Sequence, residues 1–353
     1  MRLLYILLVV LLASCSSKPQ VGVSELNINL KDVQTIIMDT NKIVSLETND
    51  SSLLYDICGL YELDNKYFIW SRSMIKVFDK KGKYLYNFSE KGQGPDEYVS
   101  LSCVFVKDNN VCAYDLDRGI LLSFNLEGRL KKSQRIVVAD GSPSPVNIIP
   151  FGKEHYLCIN GFRGGDNVKT PSISIWNSDF TKQDTVTGRL RKNGFMIADW
   201  LYADVNGNQI LYWEPMKDTL FTVKDKIISP MYAINFGDYA IPAEVAAKDV
   251  YDRFMYVGKV ENYSQCASLC RFYQIDGDYI YFIFSWAGRA CLCRFRQDSP
   301  QPEVYEFKDE RYKTMPFFKI IGEQILIAVE DKEDVEKNCG LLVVDKKTLD
   351  KSR

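Results

Sequence analysis

Six short runs of near-continuous apolar residues recur along the chain, at 66–70 (KYFIW), 110–114 (NVCAY), 155–159 (HYLCI), 209–213 (QILYW), 278–282 (DYIYF) and 324–328 (QILIA). Runs of this length, rich in aromatic and β-branched residues and bounded by polar turns, predict buried strands. A hairpin-type turn precedes each: Asp64-Asn65, Asp108-Asn109, Gly152-Lys153, Asn206-Gly207, Asp276-Gly277 and Gly322-Glu323. Asn-Gly and Asp-Gly are the strongest of these signals, because two-residue hairpin loops need positive φ. A further strand follows each run, around Phe78, Phe124, Trp176, Val223, Phe295 and Val344, at intervals of 46, 52, 47, 72 and 49 residues. Such a period marks a repeat architecture in which no unit buries both faces alone. Six units predict an all-β fold: a six-bladed β-propeller with four-stranded blades that pack radially and close on themselves.

The long interval before Phe295 predicts one helical insertion between blades 4 and 5, within residues 237–264. Its centre, PAEVAAKDVY at 242–251, has proline at the start and good helix formers after it, which predicts a helix lying on the propeller. Residues 28–47 precede the first blade, and 43–47 (IVSLE) reads as a strand. Placed beside 341–345 (LLVVD), it completes the last blade from the other end of the chain and removes an open sheet edge.

The stretch Phe78-Asp79-Lys80-Lys81-Gly82-Lys83 reads as a turn between two strands, followed by the loop Gly92-Gln93-Gly94-Pro95-Asp96-Glu97-Tyr98. Together they resemble the six-bladed propeller lipoproteins of Bacteroidetes, of the NHL/TolB-like kind, in which an FD-x-x-GK turn precedes a GQGP-x-EY loop. The resemblance implies a fold and an address more than an activity. The address has its own signal at the N-terminus. Arg2 is followed by an apolar run, 3–13, too short to span a bilayer, and Leu12-Ala13-Ser14-Cys15 resembles a bacterial lipobox. The expected layout is a signal peptide over 1–14, a lipidated Cys15 with a tether to residue 26, and the propeller over 27–353. An acidic cluster after the cysteine resembles a surface-export signal in Bacteroidetes; Ser16-Ser17-Lys18-Pro19-Gln20 has none, which places the protein on the periplasmic face of the outer membrane. The lipid is then the only membrane contact.

Composition narrows the chemistry. With 353 residues the chain is long enough for two domains, although closed β architectures of this size form one. Hydrophobic residues make up 46% and aromatic residues 13%, enough for a core and weighted towards strands. The formal net charge of −2 argues against nucleic acid as a partner. A single histidine, His155, removes most Ser/His, Cys/His and multi-histidine metal sites from consideration. The glycine-proline loop is followed by a strand-like stretch and not a helix, so it is no phosphate loop. Of the ten cysteines, Cys103 and Cys112 flank a hairpin, and Cys266/Cys270 and Cys291/Cys293 have even spacings that place each pair on one strand face. Without the tight CxxC geometry of structural zinc sites, buried free thiols are the expectation.

In a propeller, the loops joining second to third strands share one rim with the connections between blades. Four of those loops carry an arginine, Arg72, Arg118, Arg163 and Arg289; a fifth carries Lys217, and the connection between blades 3 and 4 adds Arg189 and Arg191. An arginine fork suits carboxylate, sulfate or phosphate, and Trp213 and Trp286 are candidates to stack on a sugar or aromatic ring. Glu97 and Tyr98 complete the candidate ligand site. The same arginines have Asp115, Asp117, Asp166 and Asp218 as potential partners in ordinary surface networks. The expected function is a non-catalytic binding or scaffold protein with an anionic glycan, peptide or protein partner in the cell envelope and no cofactor. The alternative is a lactonase-like hydrolase or lyase with calcium in the channel, its oxygen ligands matched by position only to Glu97, Asn147 and Asp199. Asp184-Thr185-Val186 and Asp218-Thr219-Leu220 resemble a short Bacteroidetes O-glycosylation pattern. Oligomeric state has no signal in the sequence.

Overall fold

The computed structural model describes residues 23–54, 56–71, 74–88, 90–138, 144–161, 170–186, 190–191, 202–262 and 265–351. They form a six-bladed β-propeller. Blade 1 is built from Gly59–Leu63, Lys66–Ser71, Met74–Asp79 and Tyr84–Asn87, and blade 2 from Leu101–Lys107, Asn110–Asp115, Ile120–Phe124 and Leu130–Arg135. Blade 3 takes Pro145–Phe151, His155–Asn160, Ile173–Asn177 and Gln183–Thr185; blade 4 takes Ala203–Asn206, Gln209–Tyr212, Thr219–Lys224 and Ile227–Asn235. Blade 5 contains Ser268–Asp276, Tyr279–Trp286, Arg289–Arg296 and Glu303–Lys308; blade 6 contains Tyr312–Ile321, Gln324–Asp331 and Gly340–Asp345. Each innermost strand touches the innermost strand of the next blade, and that of blade 6 touches that of blade 1, so the ring is closed.

The hairpin turns behave as their sequences require. Asp64 and Asn65 have φ of 47° and 57°, and Asp108 and Asn109 of 49° and 56°, the double left-handed geometry of a tight hairpin. The six apolar runs are the second strands of their blades, with their central residues buried on both faces. The core is divided into sectors, one shared by blades 1–3, one by blades 3–5 and one by blades 5, 6 and 1.

The N-terminal segment does more than the sequence predicted. Strand β3 (Ile43–Ser45) pairs antiparallel with Gly340–Asp345 and supplies the fourth strand of blade 6, as expected. Two strands before it were not foreseen. β1 (Ser24–Asn27), which begins inside the stretch expected to be tether, adds a fifth, parallel strand to blade 4. β2 (Gln34–Ile37) does the same for blade 5. One segment therefore covers the outer edges of three successive blades.

The FD-x-x-GK turn has a structural reason. The Asp79 carboxylate accepts from the backbone N–H of Lys81 and Lys83 at 2.8 and 2.9 Å, which shapes the turn. Gly82 has φ of 85° and lies against the Ser45 carbonyl, which a Cβ would overlap. In blade 2 the corresponding Gly128 has φ of 78°, and a Cβ there would come within 2.7 Å of the Phe88 carbonyl oxygen at the end of blade 1. This turn is thus where one blade seats on the outer strand of the blade before it.

The insertion folds as two helices and not one. α1 (Ala243–Ala246) follows Pro242, and α2 (Val250–Val257) starts afresh because the Asp249 side chain caps it, accepting from Asp252 N–H at 2.9 Å.

Candidate functional site

The GQGP loop is held by the residues that looked most like ligand contacts. The Glu97 carboxylate turns back onto its own loop and accepts from Gly94 N–H at 2.7 Å. Gly92 makes room for it, since a Cβ there would come within 2.6 Å of the carboxyl carbon. Tyr98 is buried. Arg118 donates from Nη1 to the carbonyls of Glu97 (2.7 Å) and Gly94 (3.1 Å), and its Nε lies 3.9 Å from the Asp115 carboxylate. Asp115 is fully buried and also accepts from Val99 N–H at 2.8 Å. Arg118, Glu97 and Tyr98 thus form one brace between the blade 1–2 connection and the second-to-third-strand loop of blade 2.

Asn147 is fully buried on the innermost strand of blade 3, where its amide donates to Val146 O (3.0 Å) and accepts from Tyr202 N–H (3.2 Å). Two of the three oxygen donors considered for calcium are therefore engaged by their own backbone surroundings. The third, Asp199, lies outside the described residues, as do Cys15, Arg72, Arg163, Asp166 and Arg189. Among the described residues no group of three or more His, Cys, Asp or Glu side chains is arranged to hold a metal ion.

A cavity of about 30 Å³ lies among Tyr61, Trp213, Tyr273 and Phe317, with Asp204 and Lys319 on its wall. Trp213 is buried against Tyr273, ring centroids 4.9 Å apart, and is not available on the rim. Burial pushes the Asp204 carboxyl up and the Lys319 ammonium down, and each charge pulls the other partway back.

A larger cleft lies among the described residues between blades 5 and 6, on the rim of the second-to-third-strand loops. It has a volume of about 630 Å³ and is walled by Arg289, Glu306, Lys308, Tyr312, Lys313 and Lys332. Arg289 and Trp286, both candidates from the sequence, pair across one tight hairpin and are brought together: the guanidinium lies over the indole, 4.8 Å from the ring centroid. Its Nη1 donates to both oxygens of Glu306 at 2.9 Å, and Glu306 is buried and also approached by Lys308 at 3.5 Å. Arg289 is oriented from two sides, while its Nε and Nη2 have no hydrogen-bond partner among the described residues. That edge is the fork that binds a carboxylate or phosphate through two parallel bonds.

Lys308, Lys313 and Lys332 were missed in the sequence because they come from an outer strand, the start of the next blade and the loop of that blade. Only the ring places them around Arg289. Lys332 is itself fixed, donating to the carbonyls of Asp309 (3.0 Å) and Glu310 (2.7 Å). Beside the cleft, the insertion is fastened to the same rim. Buried Arg253 on α2 donates to Met216 O at 2.9 Å and to Lys248 O at 2.9 and 2.8 Å. None of the nine described cysteines forms a disulfide, and eight are buried. Burial raises the thiols of Cys103, Cys112, Cys158, Cys266, Cys270, Cys291, Cys293 and Cys339, to about 12 for Cys103, Cys291 and Cys339, which makes them poor nucleophiles.

Among the described residues no helix is long and apolar enough to cross a membrane. No curated protein matches the chain in sequence. In fold it is similar to a protein described as exported from Bacteroides fragilis, with a TM-score of 0.64 and 16% identity over 91% of this chain and 99% of that one. It is also similar to a member of the DUF4221 family from Bacteroides vulgatus, with a TM-score of 0.57 and 11% identity over 86% of this chain and 95% of that one. Residues 19–351, which span every blade and the N-terminal strands, match the family described as a domain of unknown function, DUF4934, and the chain belongs to that family.

Proposed function

We propose that the protein is an exported, lipid-anchored propeller, NHL/TolB-like in kind, that acts as a non-catalytic binding protein at the periplasmic face of the outer membrane. Its ligand is an anionic group, carried by a glycan, peptide or protein, taken into the cleft between blades 5 and 6. The observation that carries this reading is the free Nε/Nη2 edge of Arg289 in the wall of a 630 Å³ cleft, oriented by Trp286 and Glu306. Arg289, Lys308, Lys313 and Lys332 line the cleft against Glu306, Asp309 and Glu310, and with Glu306 already held by Arg289 and Lys308 the balance favours an anion at the Arg289 edge. The export half rests on the apolar run before Cys15 and on likeness to a protein described as exported.

A thermal-shift screen of the purified protein against acidic sugars and acidic peptides tests the binding half, since a ligand of the native state raises the melting temperature by mass action. Stabilisation that Arg289→Ala abolishes supports the site; stabilisation unchanged by that substitution moves the ligand elsewhere. Stabilisation by calcium, reversed by EDTA, would favour the hydrolase alternative instead. Cys15→Ala should release the protein from the membrane fraction. Retention there would refute the lipid anchor.

A further inference from the structure

The cleft has a second chamber. On the other side of the hairpin that carries Trp286 and Arg289, a cavity of about 270 Å³ lies beside the helical insertion. It shares Gly288, Arg289, Ala290, Lys313 and Thr314 with the larger cleft, so the two adjoin at Arg289. Its own wall, made of Val257 from α2, Cys266, Leu269, Trp286 and Pro316 with Ser268 and Ser285, adds no charged side chain to those it shares with the cleft. Among the described residues Arg289 and Lys313 are the only charged side chains that line it.

The backbone is distorted at that wall. The innermost strand of blade 5, Ser268–Asp276, breaks register twice against its neighbour, between Ser268 and Arg271 and between Arg271 and Gln274. At these breaks Leu269 and Phe272 have φ of 58° and 53°, a region where bulky side chains are strained. The other described non-glycine residues with positive φ lie in turns and loops; these two lie inside a strand. A bulge re-aims a side chain, and strain held inside a regular element is characteristic of ligand-binding sites. Here the first bulge sets Leu269 into the chamber wall. The Trp286 indole N–H is buried with no acceptor among the described residues, which leaves one unused donor in the same wall.

We infer that the inner chamber receives the apolar part of the ligand whose anionic group is held by Arg289. The ligand class is then an amphiphilic carboxylate, with an aromatic ring or short hydrocarbon chain a few bonds from the carboxyl group. The inference rests on the anion site proposed above and adds what lies next to the anion. Arg289 stands at the boundary of the two chambers, so a carboxylate on its fork directs the rest of the molecule either outward among the lysines or inward against Leu269. Besides Arg289, six charged side chains line the outer cleft and only Lys313 lines the inner chamber, so an apolar group desolvates fewer charges in the inward direction.

The test compares phenylpropionate with acetate, by ligand-observed NMR titration of the purified protein. Burial of a phenyl group in the chamber predicts that phenylpropionate binds about ten- to a hundredfold more tightly. Leu269→Asn and Leu269→Gly put residues tolerant of positive φ at this position, so relief of backbone strain offsets part of the packing that Leu269 makes against the insertion, and both should fold. Both should reduce the phenylpropionate advantage to a few fold and leave acetate binding as it was, while Arg289→Ala removes binding of both acids. Equal affinities in the wild type, or an advantage that both Leu269 variants retain, would overturn the inference and leave the anion site standing. Failure of either acid to bind the wild-type protein would overturn the anion site, and the inference with it.

Discussion

The seat of blade 1 on the closing strand gives the sharpest test of how the ring is held. In Gly82→Ala, the new Cβ would overlap the Ser45 carbonyl oxygen and lie 2.9 Å from its carbon and 3.2 Å from Val44 Cγ1. Neither side yields easily. Glu47 N–H donates to the Gly82 carbonyl at 2.8 Å, and Tyr84 N–H donates to the Glu47 carboxylate at 3.0 Å. Two costs add: about 1–2 kcal/mol for alanine in the left-handed region, and about 1–3 kcal/mol for overpacking against fixed backbone. Gly277→Ala is the control, because Gly277 has φ of 57° with nothing within 4 Å of a Cβ, so only the first cost applies. The difference between the two variants, about 1–3 kcal/mol, is the steric contribution of the seat. Equilibrium unfolding in urea, followed by tryptophan fluorescence, should show a lower midpoint for Gly82→Ala than for Gly277→Ala at unchanged slope. Equal losses would mean that this turn does not lock blade 1 to the N-terminal strand.

Three further outcomes are expected. Burial pushes the half-buried Asp218 carboxyl to about 6, against the pull of Arg253 and Lys217. The folded chain therefore keeps a proton between pH 4 and 6 that the unfolded chain has lost, so this group makes stability fall as pH rises through that window. Asp218→Asn should flatten urea midpoints measured across that range and stabilise the protein at pH 7, by at most about 3 kcal/mol. Arg253→Ala should leave the ring intact but loosen the insertion, read as faster hydrogen exchange and proteolysis within 237–262. Loss of its bonds to buried carbonyls is worth roughly 2–4 kcal/mol there, and an unchanged exchange pattern would contradict the fastening role. The described thiols should react slowly with a disulfide reagent at pH 8 in the native protein and rapidly in denaturant; fast native reaction would contradict their burial.

Much of the fold was legible because its signals are local. Asp64-Asn65, Asp108-Asn109 and Asp276-Gly277 announce hairpins through their own backbone preferences, and the apolar runs between them are buried whichever blade they join. The strand at 43–45 was readable because the last blade lacked a partner. β1 and β2 were not: they are four residues long, mostly half-exposed or exposed, and take their conformation from edges more than two hundred residues away. The break at Asp249 was hidden by the good helix formers around it, which do not reveal that a carboxylate will cap a new helix. The site followed the same division. Arg289 and Trp286 flank one short turn, so their meeting could be foreseen. Whether an arginine faces solvent or the backbone depends on which carbonyls the neighbouring blade connection presents, and Arg118 turned inward onto Gly94 and Glu97 for that reason.

The strap formed by β1, β2 and β3 sets an order of assembly. The first strands to be synthesised find their partners only near residues 232–235, 305–308 and 340–342. Blades 1–3 are complete within their own sequence, whereas blades 4–6 each wait for a piece of the N-terminus. β1 therefore stays unpaired until about residue 235 is available, β2 until about residue 308, and β3 until almost the whole chain is present. Loop closure over nearly three hundred residues is then the last event and not the first. A chain cut short before Gly340 leaves β3 without a partner strand, and such a fragment would carry an exposed edge of the kind that pairs with other chains.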